Sequence, residues 1–189
     1  MPEHLKGIAA FGYHTGWRHS EITQLSWNQV DREQGIVTLY AGETKNDQAR
    51  TVYMNDELKG VVEKQWAARK ANKSLIAYVF TNADGTDRVK RFDKAWKTAC
   101  KNAGIGMRLF HDFRRTAVRN MVRSGIPERV AMMISGHRTR SVFDRYNIVN
   151  DADLKDVAER QEAYLKTCAG TVSGTVTELT RKRGLSTDA

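Results

Sequence analysis

Apolar positions recur at helical spacing over most of the chain, and one stretch breaks that rhythm. Glu3 to Tyr13 reads as a helix running into a break at Thr15-Gly16, and a shorter helix is expected from about Arg18 to Leu25. Between Val30 and Met54 the pattern shifts to β-branched and aromatic runs, Ile36 to Tyr40 and Arg50 to Met54, set apart by polar turn residues. These predict a small antiparallel sheet, with the Gly42 to Gln48 loop joining its last two strands.

Helical spacing then resumes. Asn55 is a plausible N-cap, and Leu58, Val61, Val62 and Trp66 share one helical face. Leu75 to Phe80 reads as either an extended strand or a buried connector. Phe92, Trp96, Ala99 and Cys100 predict a further helix, as do Phe113, Ala117 and Met121. Pro127 suits the first turn of another that ends near Ser135-Gly136. Leu154, Val157, Ala158 and Leu165 form the apolar stripe of a last helix, from about Asp151 to Thr167. Beyond it the rising Gly, Ser and Thr content predicts a flexible tail over residues 168–189. The fold class is therefore α+β and mainly α, with a small antiparallel β-sheet near the N-terminus.

Composition narrows the class of molecule. A chain of 189 residues suffices for one domain, and 40% hydrophobic with 28% charged residues is ordinary for a globular protein. No run approaches the ~20 apolar residues that span a bilayer. The start has neither the basic nor the apolar region of a secretory signal, and a cytoplasmic location is expected. Cys100 and Cys168 form no C-x-x-C pair. The histidines form no H-x-x-x-H pair, and Asp112, Asp144 and Asp151 show no grouping, so no metal or cofactor is expected. A formal net charge of +9 favours an acidic partner such as nucleic acid, although the cations are dispersed and not gathered in a basic arm.

Five places hold residue types that carry chemistry. Arg18 follows the Thr15-Gly16 break, and Lys45 lies in the hairpin loop. His111 and Arg114, three apart, share a face at a helix start; His137 follows Gly136, and Tyr146 lies nine residues further on. Singly, each has an ordinary reading. Arg18 and Glu21 make a helix-surface ion pair, Lys45 is solvated, His111 caps a helix or sits in the core, and Tyr146 packs its ring. A helix-turn-helix module built on Arg114 to Ser124, Gly125-Ile126-Pro127 and the next helix is also compatible with the charge.

Together these residues resemble the tyrosine recombinases of the phage-integrase kind. Thr15-Gly16-Trp17-Arg18-His19-Ser20-Glu21 looks like the family's first box, and His111-Asp112-Phe113-Arg114-Arg115-Thr116 is similar to its H-x-x-R box. Ser135-Gly136-His137 resembles its G-H element, Tyr146 falls at the spacing of its nucleophile, and Thr44-Lys45 matches its hairpin lysine. Arg115 stands where many relatives carry histidine, and a role in local packing or a phosphate contact is expected for it.

The resemblance implies a catalytic domain over residues 1–167 that breaks and rejoins double-stranded DNA through a covalent 3′-phosphotyrosine, without metal or ATP. Arg18 and Arg114 would clamp the phosphate oxygens, where guanidinium forks offset the charge that attack adds at phosphorus. His137 would give those oxygens a third hydrogen bond. His111 would accept the proton of Tyr146, and Lys45 would protonate the departing 5′ oxygen. An N-terminal DNA-binding domain, usual in the family, is expected to be missing from this stretch of sequence. Partners implied are duplex DNA and further copies of the chain, as a tetramer on two duplexes. The Asp151 to Leu165 stripe would either dock on a neighbouring subunit or pack on its own domain. A type IB topoisomerase shares the tyrosine chemistry, and its products would tell the two apart.

Overall fold

The computed structural model describes residues 1–42, 49–72, 75–147, 149 and 151–183, with side chains of the last helix as far as Cys168. Two compact units divide the chain, residues 1–148 and 149–189. No helix among the described residues is long and apolar enough to cross a membrane.

The first unit opens with α1 (Glu3–Thr15), whose apolar face buries Leu5, Ile8 and Phe11. Gly16 ends it in the left-handed conformation (φ 67°), its N–H donating to the Gly12 carbonyl at 3.1 Å. A side chain there would also be crowded: a Cβ would sit 3.2 Å from the Ala117 Cβ of a crossing helix. The turn passes directly into α2 (His19–Thr23).

Three antiparallel strands follow in sequence order: β1 (Val30–Asp31), β2 (Ile36–Leu39) and β3 (Arg50–Tyr53). Val37 faces Val52, and Leu39 faces Arg50. Because side chains alternate, Arg50 and Val52 share the inward face while Thr51 and Tyr53 are exposed. The expected sheet and its order are present, and most of the joining loop lies outside the described residues.

α3 (Asp56–Ala71) starts where expected, the Asn55 Oδ1 accepting from the Leu58 N–H at 3.0 Å. Leu75 to Phe80 is a connector and not a full strand; it makes one isolated antiparallel bridge, Ser26 to Tyr78. It still buries Val79 and Phe80 in the main core beside Phe11, Ile22 and Leu25. Each fully buried side chain of that size contributes about 1.5–3 kcal/mol.

α4 (Asp93–Asn102) leads to α5 (Asp112–Arg123), α6 (Glu128–Ser135) and α7 (Arg140–Asp144). A smaller core of Ala117, Val118, Met121, Ala131 and Phe143 holds the last three together. α1 lies against α3 and α5, and α6 lies against both α5 and β3. The Trp17 indole N–H, donating to the Ile134 carbonyl at 2.9 Å, joins the α1–α2 turn to the end of α6. Pro127 is the N-cap of α6, and Gly136 (φ 70°) its C-cap. The short α7 carries no periodic signal long enough to read in sequence.

The second unit is α8 (Asp151–Arg183). Its backbone continues as helix past Thr167, further than the helix end expected from the sequence. The chain's two prolines lie elsewhere, and Gly170 and Gly174 each cost only about 1 kcal/mol in a helix. Leu154, Val157, Tyr164 and Leu165 of α8 are all exposed.

Candidate active site

Four segments distant in sequence meet at one place: the α1–α2 turn, the start of β3, the N-terminus of α5, and the chain from the end of α6 to Tyr146. Arg18 is the N-cap of α2. Its backbone N–H donates to the Glu21 Oε2 at 2.8 Å, and its Nη1 donates to Oε1 at 2.8 Å. Glu21 is buried, so this is not a surface ion pair. Burial alone would raise the Glu21 pKa; hydrogen bonds from the Arg18 backbone and the Arg50 guanidinium, with its charge, outweigh that and hold it below the ordinary value. Arg50 reaches the same carboxylate oxygen through Nη2 at 2.5 Å, and its Nη1 donates to the Ser135 carbonyl at 3.2 Å.

Arg114 projects from the first turn of α5 and is buried. Its Nη1 donates to the carbonyls of Gly16 (2.7 Å) and Ser135 (2.5 Å), and its Nε to the His137 Nε2 at 3.0 Å. Nη2 has no partner among the described residues. Burial, then the neighbouring Arg18 charge, lower its pKa to about 10, so it stays cationic at neutral pH. His137 is pushed down to about 3 by burial, then by Arg114 and Arg18. The ring is thus neutral, with Nε2 accepting and Nδ1 donating to the Ser135 Oγ at 2.7 Å. Ser135 passes the chain on to the Ala131 carbonyl at 2.6 Å. In this arrangement His137 holds Arg114 and presents no N–H outward, which differs from the third donor implied by the resemblance.

Tyr146 follows α7, its backbone N–H donating to the Phe143 carbonyl at 2.8 Å. Its ring packs against the smaller core, with the His137 ring centroid 4.8 Å away and the Arg114 guanidinium carbon 5.9 Å from its centre. The hydroxyl lies 3.0 Å from the His111 Nε2. His111 precedes α5 but makes no side-chain cap, so neither the capping nor the core reading fits it. Partial burial, then Arg114 and Arg18, lower its pKa, which favours the neutral ring that can accept a proton. A phenol beside a neutral imidazole and two guanidiniums has the elements of a nucleophile, its base and an anion clamp.

Residues 1–153 match the model of the phage integrase family. The chain belongs to that family. The integrase of Salmonella phage P22 is 29% identical over 177 residues, covering 90% of this chain and 46% of that protein. The tyrosine recombinase XerA of Pyrococcus furiosus is 28% identical over 150 residues, 78% of this chain and 51% of the relative. The integrase-family chain thus spans about half the length of these curated relatives. In fold it is similar to the crystal structure of XerA recombinase, with TM-score 0.67 and 22% identity over 85% of this chain and 64% of that one. It is also similar to the Tn1549 transposon integrase, solved with a circular intermediate DNA: TM-score 0.66, 17% identity, 83% of this chain and 58% of that one. The mainly helical fold with a three-stranded sheet is that of the tyrosine recombinase catalytic domain.

Of the six residues singled out in the sequence, the structure brings Arg18, His111, Arg114, His137 and Tyr146 together. Lys45 lies outside the described residues. Among the described residues no group of three or more His, Cys, Asp and Glu could hold a metal. Arg115 is exposed. Sequence reasoning passed over Arg50 and treated Glu21 only as a surface partner. Strand alternation held the missing signal, because it puts Arg50 on the same inward face as Val52, and a buried arginine needs a carboxylate.

Two tests probe this geometry. A Cβ on Gly136 would fall on the Arg50 guanidinium, and the residue is left-handed (φ 70°). Gly136→Ala is expected to lose about 1–2 kcal/mol from the backbone alone, and more from displacing a buried ion pair. Chemical denaturation measures it; a stability equal to the parent's would contradict the crowding. For His111, the imidazole proton NMR titration is expected to have its midpoint below the ordinary value near ~6.5. Arg18→Met removes a neighbouring positive charge that disfavours the imidazolium, so the midpoint should rise. A midpoint that stays or falls would dissociate Arg18 from His111.

Proposed function

We propose that the chain is the catalytic domain of a site-specific tyrosine recombinase, cutting and rejoining duplex DNA through Tyr146. The observation that carries this reading is the Tyr146 hydroxyl 3.0 Å from the His111 Nε2, beside the buried Arg114 guanidinium. Family membership and the DNA-bound structural relative support it.

In the proposed step the Tyr146 oxygen attacks the scissile phosphorus and the bond to the 5′ oxygen breaks. The phenol proton passes to His111, and Lys45 protonates the departing 5′ oxygen. Arg18 and Arg114 offset the charge gathering on the non-bridging oxygens, with His137 holding Arg114 in place. The 3′-phosphotyrosine conserves the bond, and a 5′ hydroxyl from another strand reverses the step. Neither metal nor ATP enters. A helix-turn-helix reading leaves the His111–Tyr146 contact and the buried Arg18–Glu21–Arg50 network without a role.

A pool of nicked duplexes, from which the leaving strand diffuses away, tests the reading. With EDTA present, the protein is expected to give a DNA-linked band on a denaturing gel. Absence of the band across the pool, with DNA binding intact, would favour a non-catalytic binding module.

The exposed stripe on α8, Leu154, Val157 and Leu165, supports docking between copies assembled on DNA. Deleting residues 148–189 is then expected to weaken self-association on DNA, measured by sedimentation. Unchanged association would sink the docking idea.

A further inference from the structure

Arg50 stands at the centre of the site yet offers nothing to a substrate. It is a buried guanidinium on the inward face of β3, with the Trp17 ring 5.9 Å from its carbon. Its two terminal nitrogens serve the two halves of the phosphate clamp. Nη2 shares the Glu21 Oε1 with Arg18, and Nη1 shares the Ser135 carbonyl with Arg114. Through side chains and one backbone carbonyl, Arg18, Glu21, Arg50, Ser135 and Arg114 form one continuous chain. The space Arg50 fills exists because position 136 has no side chain.

We propose that Arg50 is a positioning residue: by neutralising Glu21 it keeps the Arg18 guanidinium free to meet a phosphate. The inference rests on the recombinase reading above. Glu21 is a buried carboxylate with two cationic partners, and one of them must also bind an anion. Arg18 gives Glu21 only Nη1, and its Nε and Nη2 have no partner among the described residues. Without Arg50, a full negative charge buried beside Arg18 would compete with the DNA phosphate for that guanidinium. The Ser135 carbonyl would also lean on Arg114 alone. Arg50 therefore tunes the clamp without touching the reacting atoms.

Charge compensation separates this role from simple packing. Arg50→Met is expected to slow single-turnover formation of the covalent adduct on nicked duplexes by roughly 10²-fold, the scale of a lost transition-state donor. DNA affinity should change by less than about 5-fold, since most phosphate contacts lie elsewhere. Adding Glu21→Gln to Arg50→Met removes the competing charge and should recover at least roughly 10-fold of the lost rate. Arg50→Lys, with its charge but no fork, should fall between. Circular dichroism and thermal midpoints establish which variants are folded, and the Lys variant carries the test if the Met variant is not.

An adduct from the parent with this recovery in the double variant supports the role. An adduct from the parent, with folded Arg50 variants matching it or a double variant no faster than Arg50→Met, overturns Arg50 and leaves the recombinase reading standing. No adduct from the parent overturns the recombinase reading, and Arg50's part in the reaction with it.

Discussion

Tyr146→Phe is expected to abolish the covalent adduct with DNA while leaving the protein folded and bound to the same duplexes. The substitution removes one oxygen atom, the one 3.0 Å from the His111 Nε2. The ring keeps its packing against Phe143's cluster and beside His137, so no cavity opens and the thermal midpoint should hold. A hydroxyl making one hydrogen bond adds about 1 kcal/mol at most to binding, so affinity should change by only a few-fold. Loss of a nucleophile, by contrast, costs on the order of 10⁴-fold or more in rate. The pairing of an intact complex with a missing denaturant-stable band is what separates a nucleophile from a contact residue. A band of undiminished intensity from Tyr146→Phe would place the covalent bond on another residue.

The second large effect falls on Arg114. Its guanidinium makes three hydrogen bonds inside the protein and leaves Nη2 without a partner among the described residues. Arg114→Ala is therefore expected to act twice. Cleavage should drop by roughly 10²–10³-fold for the lost anion donor. Stability should also fall by about 3 kcal/mol or more, because the buried Gly16 and Ser135 carbonyls lose a donor. Arg114→Lys separates the two. It keeps the cation and can serve one carbonyl, so it should recover part of the stability. A point charge cannot hold His137, two carbonyls and a phosphate at once, so cleavage should remain near the alanine level. Measured rates within a few-fold of the parent in both variants would remove Arg114 from the clamp.

Residues near in sequence announced the site more readily than residues brought near by folding. His111 and Arg114 declared themselves because a helix sets residues three apart on one face. The break at Thr15-Gly16 and the stop at Gly136 were legible because a left-handed backbone favours glycine. Arg50 was hidden for the opposite reason. It lies 29 residues from Glu21 and 85 from Ser135, and no local periodicity links them. α8 ran past its expected end because glycine lowers helix propensity only modestly, and composition alone could not locate a terminus.

The sequence by itself determined the class of fold, the positions of most elements, and the family box residues. Those depend on local geometry: helical and strand periods, caps and turn residues act over a few positions. The tertiary structure alone decided the protonation and direction of the groups. It made His137 neutral and turned it to hold Arg114, set His111 against the Tyr146 hydroxyl, and joined the two arginines through a buried carboxylate and Arg50. Burial and neighbouring charge fix those states, and both arise only when segments far apart in the chain are packed together.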